Sequence, residues 1–252
     1  MKRKIKQILF WIGFYALIAI ILIVVLFPVW FLFSTSIKPL RYVYNPFIIF
    51  FEPTFEHWEQ VLFRRGFTHF LANSLITMVF TTLLGVFSGT LCGYAINRYR
   101  IGGRAFPYFL LFLQLTPGFL MMIPLYNLSQ MLGLHDTLLI LILQGTASSI
   151  PFTAWLMDTY FDNVPIEIEE AALLDGCSRL ESFFRIVLPI STPGVAVASI
   201  FAAIGSWNGY MMPLILTGIN AKTLPVLVAG VITDVDIFWG QMGHSAYSYK
   251  SQ

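Results

Sequence analysis

Residues 165–189 read PIEIEEAALLDGCSRLESFFRIVLP, the longest charged segment in a chain that is otherwise largely apolar. The pattern predicts two short helices joined by a bend. Pro165 suits the first helical position, and the glutamates at 167, 169 and 170 place negative charge near the positive end of the helix dipole. Gly176 fits the left-handed position just beyond the end of that helix.

The second helix of this segment is predicted to begin at a capping box. Ser178 and Glu181 form the Ser-x-x-Glu pattern, in which each side chain bonds the backbone N–H of the other residue. Helical spacing predicts its apolar side: Leu180, Phe183, Phe184 and Val187. A capped helix-turn-helix between two hydrophobic segments is interpreted as a docking element for another protein.

The composition outside this segment is that of an integral membrane protein. The 252 residues are 57% hydrophobic and 11% charged, with a mean hydropathy of +0.75. These values lie far from those of soluble domains. The two cysteines, Cys92 and Cys177, have no histidines spaced to join them, so neither a disulfide framework nor a metal site is predicted.

The predicted fold is all-α: a polytopic bundle of transmembrane helices with a cytoplasmic helix-turn-helix. Each predicted span is an apolar stretch long enough to cross a bilayer. The basic start, MKRKIKQ, and the arginines after the second span favour a cytoplasmic N-terminus, with nine of the 15 basic residues inside. The five spans are approximately Ile8–Phe33, Leu71–Ile96, Phe106–Leu125, Leu138–Leu156 and Ile190–Ile215.

The chain is predicted to have three parts. Residues 1–70 hold the first transmembrane helix and an outer-face segment, in which residues 55–63 have the spacing of an interfacial amphipathic helix. Residues 71–216 form the membrane core and include the helix-turn-helix, within 161–189. Residues 217–252 are predicted to be an outer loop and an incomplete C-terminal segment, because the apolar run 224–232 is too short to span.

Three glycines recur at every fourth position in the second span: Gly85, Gly89 and Gly93. Such a small-xxx-small pattern lets another helix approach closely. Tight packing is the favoured interpretation, and a pore-lining helix that slides is the alternative.

Motifs for catalysis are absent from the sequence. There is no phosphate-binding G-x-x-x-x-G-K-[ST] loop, no H-E-x-x-H and no G-x-S-x-G, so no catalytic residues and no ATP hydrolysis are assigned to this chain. The five spans also contain no Asp, Glu, Lys, Arg or His. Because ion-coupled carriers usually need such groups at membrane depth, the sequence favours a pathway for a neutral polar solute.

Polar residues at membrane depth are the candidates for that pathway. Hydroxyl and amide groups beside an aromatic face would suit a sugar, although polar residues in helical bundles also hydrogen-bond between helices. The candidates for contact with the solute are Gln114, Ser149, Trp207 and Asn208. Other polar residues at depth are Asn127, Gln144, Thr146, Ser148, Thr153 and Ser206.

The helix-turn-helix resembles the EAA loop of permease subunits of ATP-binding-cassette importers. The matching residues are Glu170-Ala171-Ala172, Asp175-Gly176 and Ile186-Val187-Leu188-Pro189. Further motifs resemble the carbohydrate-importer branch, of the maltose type: Asn73-Ser74-Leu75, Gly93-Tyr94-Ala95 with Arg98, Ile123-Pro124-Leu125-Tyr126, Pro151-Phe152, and Trp207-Asn208 with Pro213-Leu214. Together they cover roughly residues 30–240.

The resemblance implies a permease subunit of a binding-protein-dependent sugar importer in a bacterial plasma membrane. Its implied partners are a second permease subunit, two ATPase subunits that use the ATP, an outer solute-binding protein and the lipid bilayer. It implies neither nucleic acid nor a cofactor bound to this chain. The residues it implies for contact with the ATPase are Glu170, Ala171, Ala172, Asp175, Gly176, Leu188 and Pro189, with the alanines and the glycine as a low-relief surface.

Permeases of this type have a sixth spanning helix, and residues 239–242 (WGQM) look like its entry before the likeness ends. The chain is therefore expected to lack the last helix. Three alternatives stay open: an importer for another solute, a secondary carrier or channel for a neutral solute, and a truncated membrane protein that transports nothing.

Overall fold

The computed structural model describes residues 2–39, 42, 45, 47, 48, 50–59, 62, 63, 66–103 and 105–230. These residues form helices and connecting loops, with no strand among them. Two compact units divide the chain, residues 1–67 and residues 68–252. The predicted entry to a sixth helix, at 239–242, lies outside the described residues.

The first unit is dominated by one long helix, α1, Lys2–Ser36. It extends beyond both ends of the predicted first span. After it, the Lys38 ammonium donates to the carbonyl of Asn45 at 3.2 Å. The predicted interfacial helix over 55–63 is observed as one turn, Glu56–Glu59, and residues 60 and 61 lie outside the described part of the chain.

The second unit is a bundle built around two long helices, α2 and α5. Its elements, in chain order, are α2 Phe67–Tyr99, α3 Phe106–Gln114, a 3-10 turn Gly118–Met121, α4 Met122–Met131, α5 Leu138–Phe161, α6 Ile166–Leu174, α7 Arg179–Ile190, α8 Thr192–Trp207 and α9 Met211–Leu216. Residues 224–230 are also helical.

Among the described residues, three helices are long and apolar enough to cross a membrane: α1 from Phe10, α2 and α5. Two further pairs pass the same test but are bent, by 84° between α3 and the segment Gly118–Met131, and by 78° between α7 and α8. The described chain thus has three to five candidate spans. The predicted polytopic helical fold is confirmed, with five spans as its upper count.

The predicted third and fifth spans are not continuous helices. The third breaks before Gly118, because Pro117 has an extended backbone (ψ 121°) and ends the helical path. The fifth ends as a helix at Trp207 and resumes as α9 after a turn at residues 208–210. A single helix over 190–215 was therefore wrong.

The glycine ridge of α2 packs directly on α5. A Cβ atom built on Gly85 would lie 1.9 Å from the Ser149 hydroxyl, and one on Gly89 would lie 2.5 Å from the Cβ of Thr153. At Gly93 the corresponding Cβ would lie 2.7 Å from the carbonyl oxygen of Ala154. Only hydrogen fits at these positions, which supports the packing interpretation of the pattern. The two helices run parallel, so their C-terminal ends lie at the same end of the bundle.

Candidate functional site

The helix-turn-helix element, residues 165–190, turns at a left-handed glycine. Gly176 has a φ of +90°, and the backbone around it forms a Schellman motif. In this motif the N–H of Gly176 donates to the carbonyl of Leu173 at 3.1 Å, and the N–H of Cys177 donates to that of Ala172 at 3.0 Å. The predicted bend is confirmed.

A capping box opens α7. The N–H of Glu181 donates to the Ser178 hydroxyl at 3.3 Å, and the N–H of Ser178 donates to the Glu181 carboxylate at 2.8 Å. The reciprocal bonds are those that the sequence predicts. Pro165 lies one position earlier than predicted, at the N-cap rather than in the first turn, since α6 begins at Ile166.

The middle of α7 is π-helical over Phe183–Val187. Both end residues of this stretch are buried and contact α2 and α5, in a cluster with Tyr94, Met157 and Phe161. The ring centroids of Tyr94 and Phe183 are 4.6 Å apart. The wider turn was not predicted, because its sequence, FFRIV, has ordinary helical spacing.

The residues assigned to ATPase contact do not all share one surface. Exposed on the element are Glu170, Ala171, Asp175, Gly176 and Pro189, whereas Leu188 is partly buried. Ala172 is only 5% exposed and faces inward, so the prediction that it forms part of a low-relief surface was wrong. Two leucines that were not assigned, Leu174 and Leu180, are 89% and 67% exposed beside the bend.

A buried ion pair ties α6 to the C-terminal end of α2. The guanidinium of Arg98 donates from Nε to the Glu169 carboxylate at 2.8 Å, and the two side chains are 10% and 9% exposed. The same guanidinium donates to the Val164 carbonyl at 3.0 Å and to the Asn97 side-chain oxygen at 2.8 Å. The Tyr94 hydroxyl donates to the other oxygen of Glu169.

Asn97 extends this network to α5. Its amide donates to the carboxylate of Asp162 at 2.7 Å and to that of Asp158 at 3.2 Å. From the sequence, Arg98 served as a marker of topology and as part of a motif of the resemblance, and Glu169 as a favourable dipole charge; neither was assigned to a site. An arginine placed just where a span ends, at helical distance from a tyrosine, was the signal available for this site.

A cavity of about 700 Å³ lies between α2, α3, α5, α8 and α9. Gln114, Ser149 and Asn208, three of the four predicted pathway residues, are brought together in its lining. Trp207 is not in the lining. Of the other polar residues predicted at depth, Gln144, Ser148, Thr153 and Ser206 also line it, and Asn127 and Thr146 do not.

Two threonines that were not predicted complete the polar wall. Thr77 and Thr81 of α2 line the cavity and are 6% and 2% exposed. Their hydroxyls make no hydrogen bond within the described chain. Across from them, the Gln114 amide donates to the Ser148 carbonyl at 2.9 Å, and the Gln144 amide donates to the Ser148 hydroxyl at 2.8 Å.

Aromatic side chains form the apolar part of the cavity lining. Phe152, Phe201 and Tyr210 line it, and the rings of Phe152 and Phe201 are in edge-to-face contact at 5.2 Å. Among the described residues, none that lines the cavity is ionisable other than Tyr210. The described part of the chain contains no group of three or more His, Cys, Asp or Glu side chains that could hold a metal ion.

The opposite end of the bundle is held by a carboxylate. Asp136, which precedes α5, accepts hydrogen bonds from the backbone N–H groups of residues 218–221 at 2.8–3.1 Å. Burial opposes ionisation of this carboxyl, but the N–H donors outweigh it and hold the pKa of Asp136 well below its usual range. Asn73 of α2 donates to the carbonyls of Asn220 and Lys222, both at 2.9 Å, in the same segment.

Known proteins are similar to this chain in sequence. A family described as "Binding-protein-dependent transport system inner membrane component" matches residues 65–247. The inner membrane ABC transporter permease protein YcjP of Escherichia coli K12 is 32% identical, over 94% of this chain and 87% of its own length. The galactooligosaccharides transport system permease protein GanQ of Bacillus subtilis 168 is 30% identical, over 88% of this chain and 80% of its own.

A solved structure shares the fold. A chain in the crystal structure of a bacterial ABC transporter involved in the import of the acidic polysaccharide alginate superposes with a TM-score of 0.73 at 26% identity. The match covers 89% of this chain and 79% of that one. Because the family match takes in most of the bundle, the helix-turn-helix element and the cavity, the chain belongs to the binding-protein-dependent transport system inner membrane components.

Proposed function

We propose that this chain is the membrane-spanning permease subunit of an ATP-driven importer for a neutral sugar or oligosaccharide. The observation that carries the proposal is the cavity, whose lining combines hydroxyl and amide groups with aromatic rings. Relatives named for sugars, among them the galactooligosaccharides permease GanQ, support the solute class.

The lining suits a sugar on chemical grounds. Each sugar hydroxyl is both a donor and an acceptor, as are the side chains of Thr77, Thr81 and Ser149, while the amides of Gln114 and Asn208 offer both kinds of group. The hydroxyl oxygens of the two threonines are buried and have no partner within the described chain, so each side chain would rotate towards the cavity to reach a solute. The rings of Phe152 and Phe201 offer an apolar surface to the C–H face of a sugar.

The exposed tip of the helix-turn-helix element would dock on an ATPase subunit. Leu174 and Leu180 supply apolar area beside the bend, and Glu170 supplies a carboxylate for a cation or a backbone donor on the partner. Asp175 and Gly176 are exposed at the same bend, and Pro189 is exposed at the other end of α7. ATP would be hydrolysed on that partner, so this chain acts as a transporter component without an active site or cofactor of its own.

The full assembly would contain a second permease subunit, two ATPase subunits and an outer solute-binding protein, in a bacterial plasma membrane. The N-terminus and the helix-turn-helix element are assigned to the cytoplasmic side, from the basic residues at 2–6 and after α2. Ile219 and Asn220, which are exposed at the other end of the bundle, would then lie on the side of the binding protein.

Uptake of labelled neutral oligosaccharide by the reconstituted complex tests the proposal. Ser149→Ala and Asn208→Ala should each lower uptake about tenfold, since each removes a hydrogen-bonding group from the cavity lining. ATP hydrolysis in the absence of solute should stay unchanged. Uptake that is insensitive to both substitutions would contradict the assignment of the cavity.

A further inference from the structure

We infer that the ion pair between Arg98 and Glu169 is the rigid link through which α2 follows the helix-turn-helix element. Arg98 is thus a positioning residue for coupling ATP hydrolysis to movement of the cavity wall. The inference rests on the proposed function. It connects the surface assigned to the ATPase with the cavity, two sites that the proposed function describes separately.

The two neighbouring glutamates of α6 point in different directions. Glu170 is exposed on the side assigned to the ATPase, whereas Glu169 is 7% exposed and faces α2. Because α6 is short and is bonded to α2 through Glu169, a displacement of its ATPase-facing side moves the whole helix as a rigid body. Whatever moves Glu170 therefore moves the carboxylate that holds Arg98.

The Arg98 guanidinium is held from three directions. Its partners are Glu169 on α6, the Val164 carbonyl in the α5–α6 connection and Asn97 on α2 itself. A planar guanidinium that donates from all three of its nitrogens in a buried site has little freedom to pivot. Tyr94, one turn before Arg98 on α2, also bonds Glu169. Two bonds at different levels of α2 resist rotation of α6 against α2 as well as their separation.

The cavity lies at the other end of the same helix. Thr77 and Thr81 are about five turns from Arg98, or roughly 30 Å along the α2 axis. The glycine ridge packs α2 directly against α5, which carries Ser149. A shift of the α2 end at Arg98 therefore carries two walls of the cavity together.

A second ion pair on the same element provides a matched control. Arg185 and Glu181 are separated by 3.9 Å within α7, and their side chains are 72% and 47% exposed. Exposed pairs of this kind contribute little. Neither residue contacts α2 through this pair, so Arg185→Gln removes an arginine and an ion pair without touching the link.

The experiment compares the complete transporter carrying Arg98→Gln, Arg98→Lys or Arg185→Gln with the parent, in proteoliposomes. ATP hydrolysis and solute uptake are measured on the same samples. Arg98→Gln should keep hydrolysis within about twofold of the parent while uptake per ATP falls about tenfold or more. Arg98→Lys should recover part of the uptake, and Arg185→Gln should match the parent.

A readout independent of transport covers the case in which Arg98→Gln assembles poorly. Amide exchange of residues 166–174 in the complex should rise about tenfold for Arg98→Gln and stay unchanged for Arg185→Gln, because only the first variant frees α6. Unchanged exchange, or hydrolysis and uptake that fall in parallel for Arg98→Gln and Arg98→Lys alike, would overturn the inference. No uptake by the parent itself would instead contradict the proposed function, with the exchange result still deciding the link.

Discussion

Two residues at turns, Gly176 and Asp136, have positive φ angles, which most side chains disfavour. Gly176 has a φ of +90° with open space around it, so its requirement is conformational rather than steric. Asp136 has a φ of 58° and uses its carboxylate to gather four consecutive N–H groups. In both cases one residue determines the path of a connection between helices.

Replacing Gly176 by Ala should destabilise the protein by about 1–2 kcal/mol, because a Cβ disfavours positive φ. Thermal unfolding in detergent would measure the loss. The control is Gly13→Ala in α1, where no atom lies within 4 Å of the new Cβ and the backbone is helical, so stability should be unchanged or slightly higher. Equal unfolding of Gly176→Ala and the parent would contradict the conformational requirement.

Asp136 should make stability depend on acid. Its folded-state pKa lies below the unfolded value, near 3.9, so its contribution is fully present above that pH and is lost as the pH falls towards the folded pKa. The difference in unfolding temperature between the parent and Asp136→Asn should therefore be largest at neutral pH and should shrink steadily as the pH falls from about 4 towards the folded pKa. A difference that does not shrink as the pH falls below about 4 would show that the carboxylate charge is not involved.

At the scale of elements, the packing of α2 on α5 depends on glycine at three positions, 85, 89 and 93. Gly89→Leu should be severely destabilising, since even its Cβ would meet the Thr153 side chain at 2.5 Å. Overpacking of this kind costs about 1–3 kcal/mol or more. The yield of folded protein and its unfolding temperature would measure the effect. Gly118→Leu, with nothing within 4 Å of its Cβ, is the control.

Elements with local signals were predictable from the sequence. The bend at Gly176 and the capping box at Ser178 follow from residues within one turn, and the long apolar helices follow from composition. The π-helical stretch of α7 and the inward direction of Ala172 did not, because both depend on what packs against them. The pair of Arg98 and Glu169 joins residues 71 positions apart, and the local pattern of Tyr94 and Arg98 does not identify Glu169 as the partner.

At the scale of the whole molecule, the two ends of the bundle differ in kind. One end holds the helix-turn-helix element and the buried ion pair, and the other holds the network around Asp136 and Asn73. Between them lies a cavity whose polar residues come from four helices, α2, α3, α5 and α8, and from the turn at residues 208–210. Sequence reasoning identified three of these residues as candidates from their depth, but it missed Thr77 and Thr81, since a threonine in an apolar span gives no sign of which way it faces.

The assigned orientation predicts which side of the membrane exposes Cys177, a partly exposed residue of the helix-turn-helix element. In a Cys92→Ala background, a membrane-impermeant thiol reagent should label Cys177 in inside-out vesicles and leave right-side-out vesicles unlabelled. Cys177→Ala provides the control for specificity. Labelling in right-side-out vesicles alone would reverse the proposed topology.

The central claim is that this bundle is driven by ATP through its helix-turn-helix element, and one uptake measurement tests it most directly. Proteoliposomes containing the complete transporter and its binding protein are supplied with ATP on the ATPase side, and an ionophore removes the proton gradient. We predict that neutral oligosaccharide accumulates with the ionophore present and stops when ATP is withdrawn. Uptake that the ionophore abolishes, and that continues without ATP when an ion gradient is imposed, would contradict the account.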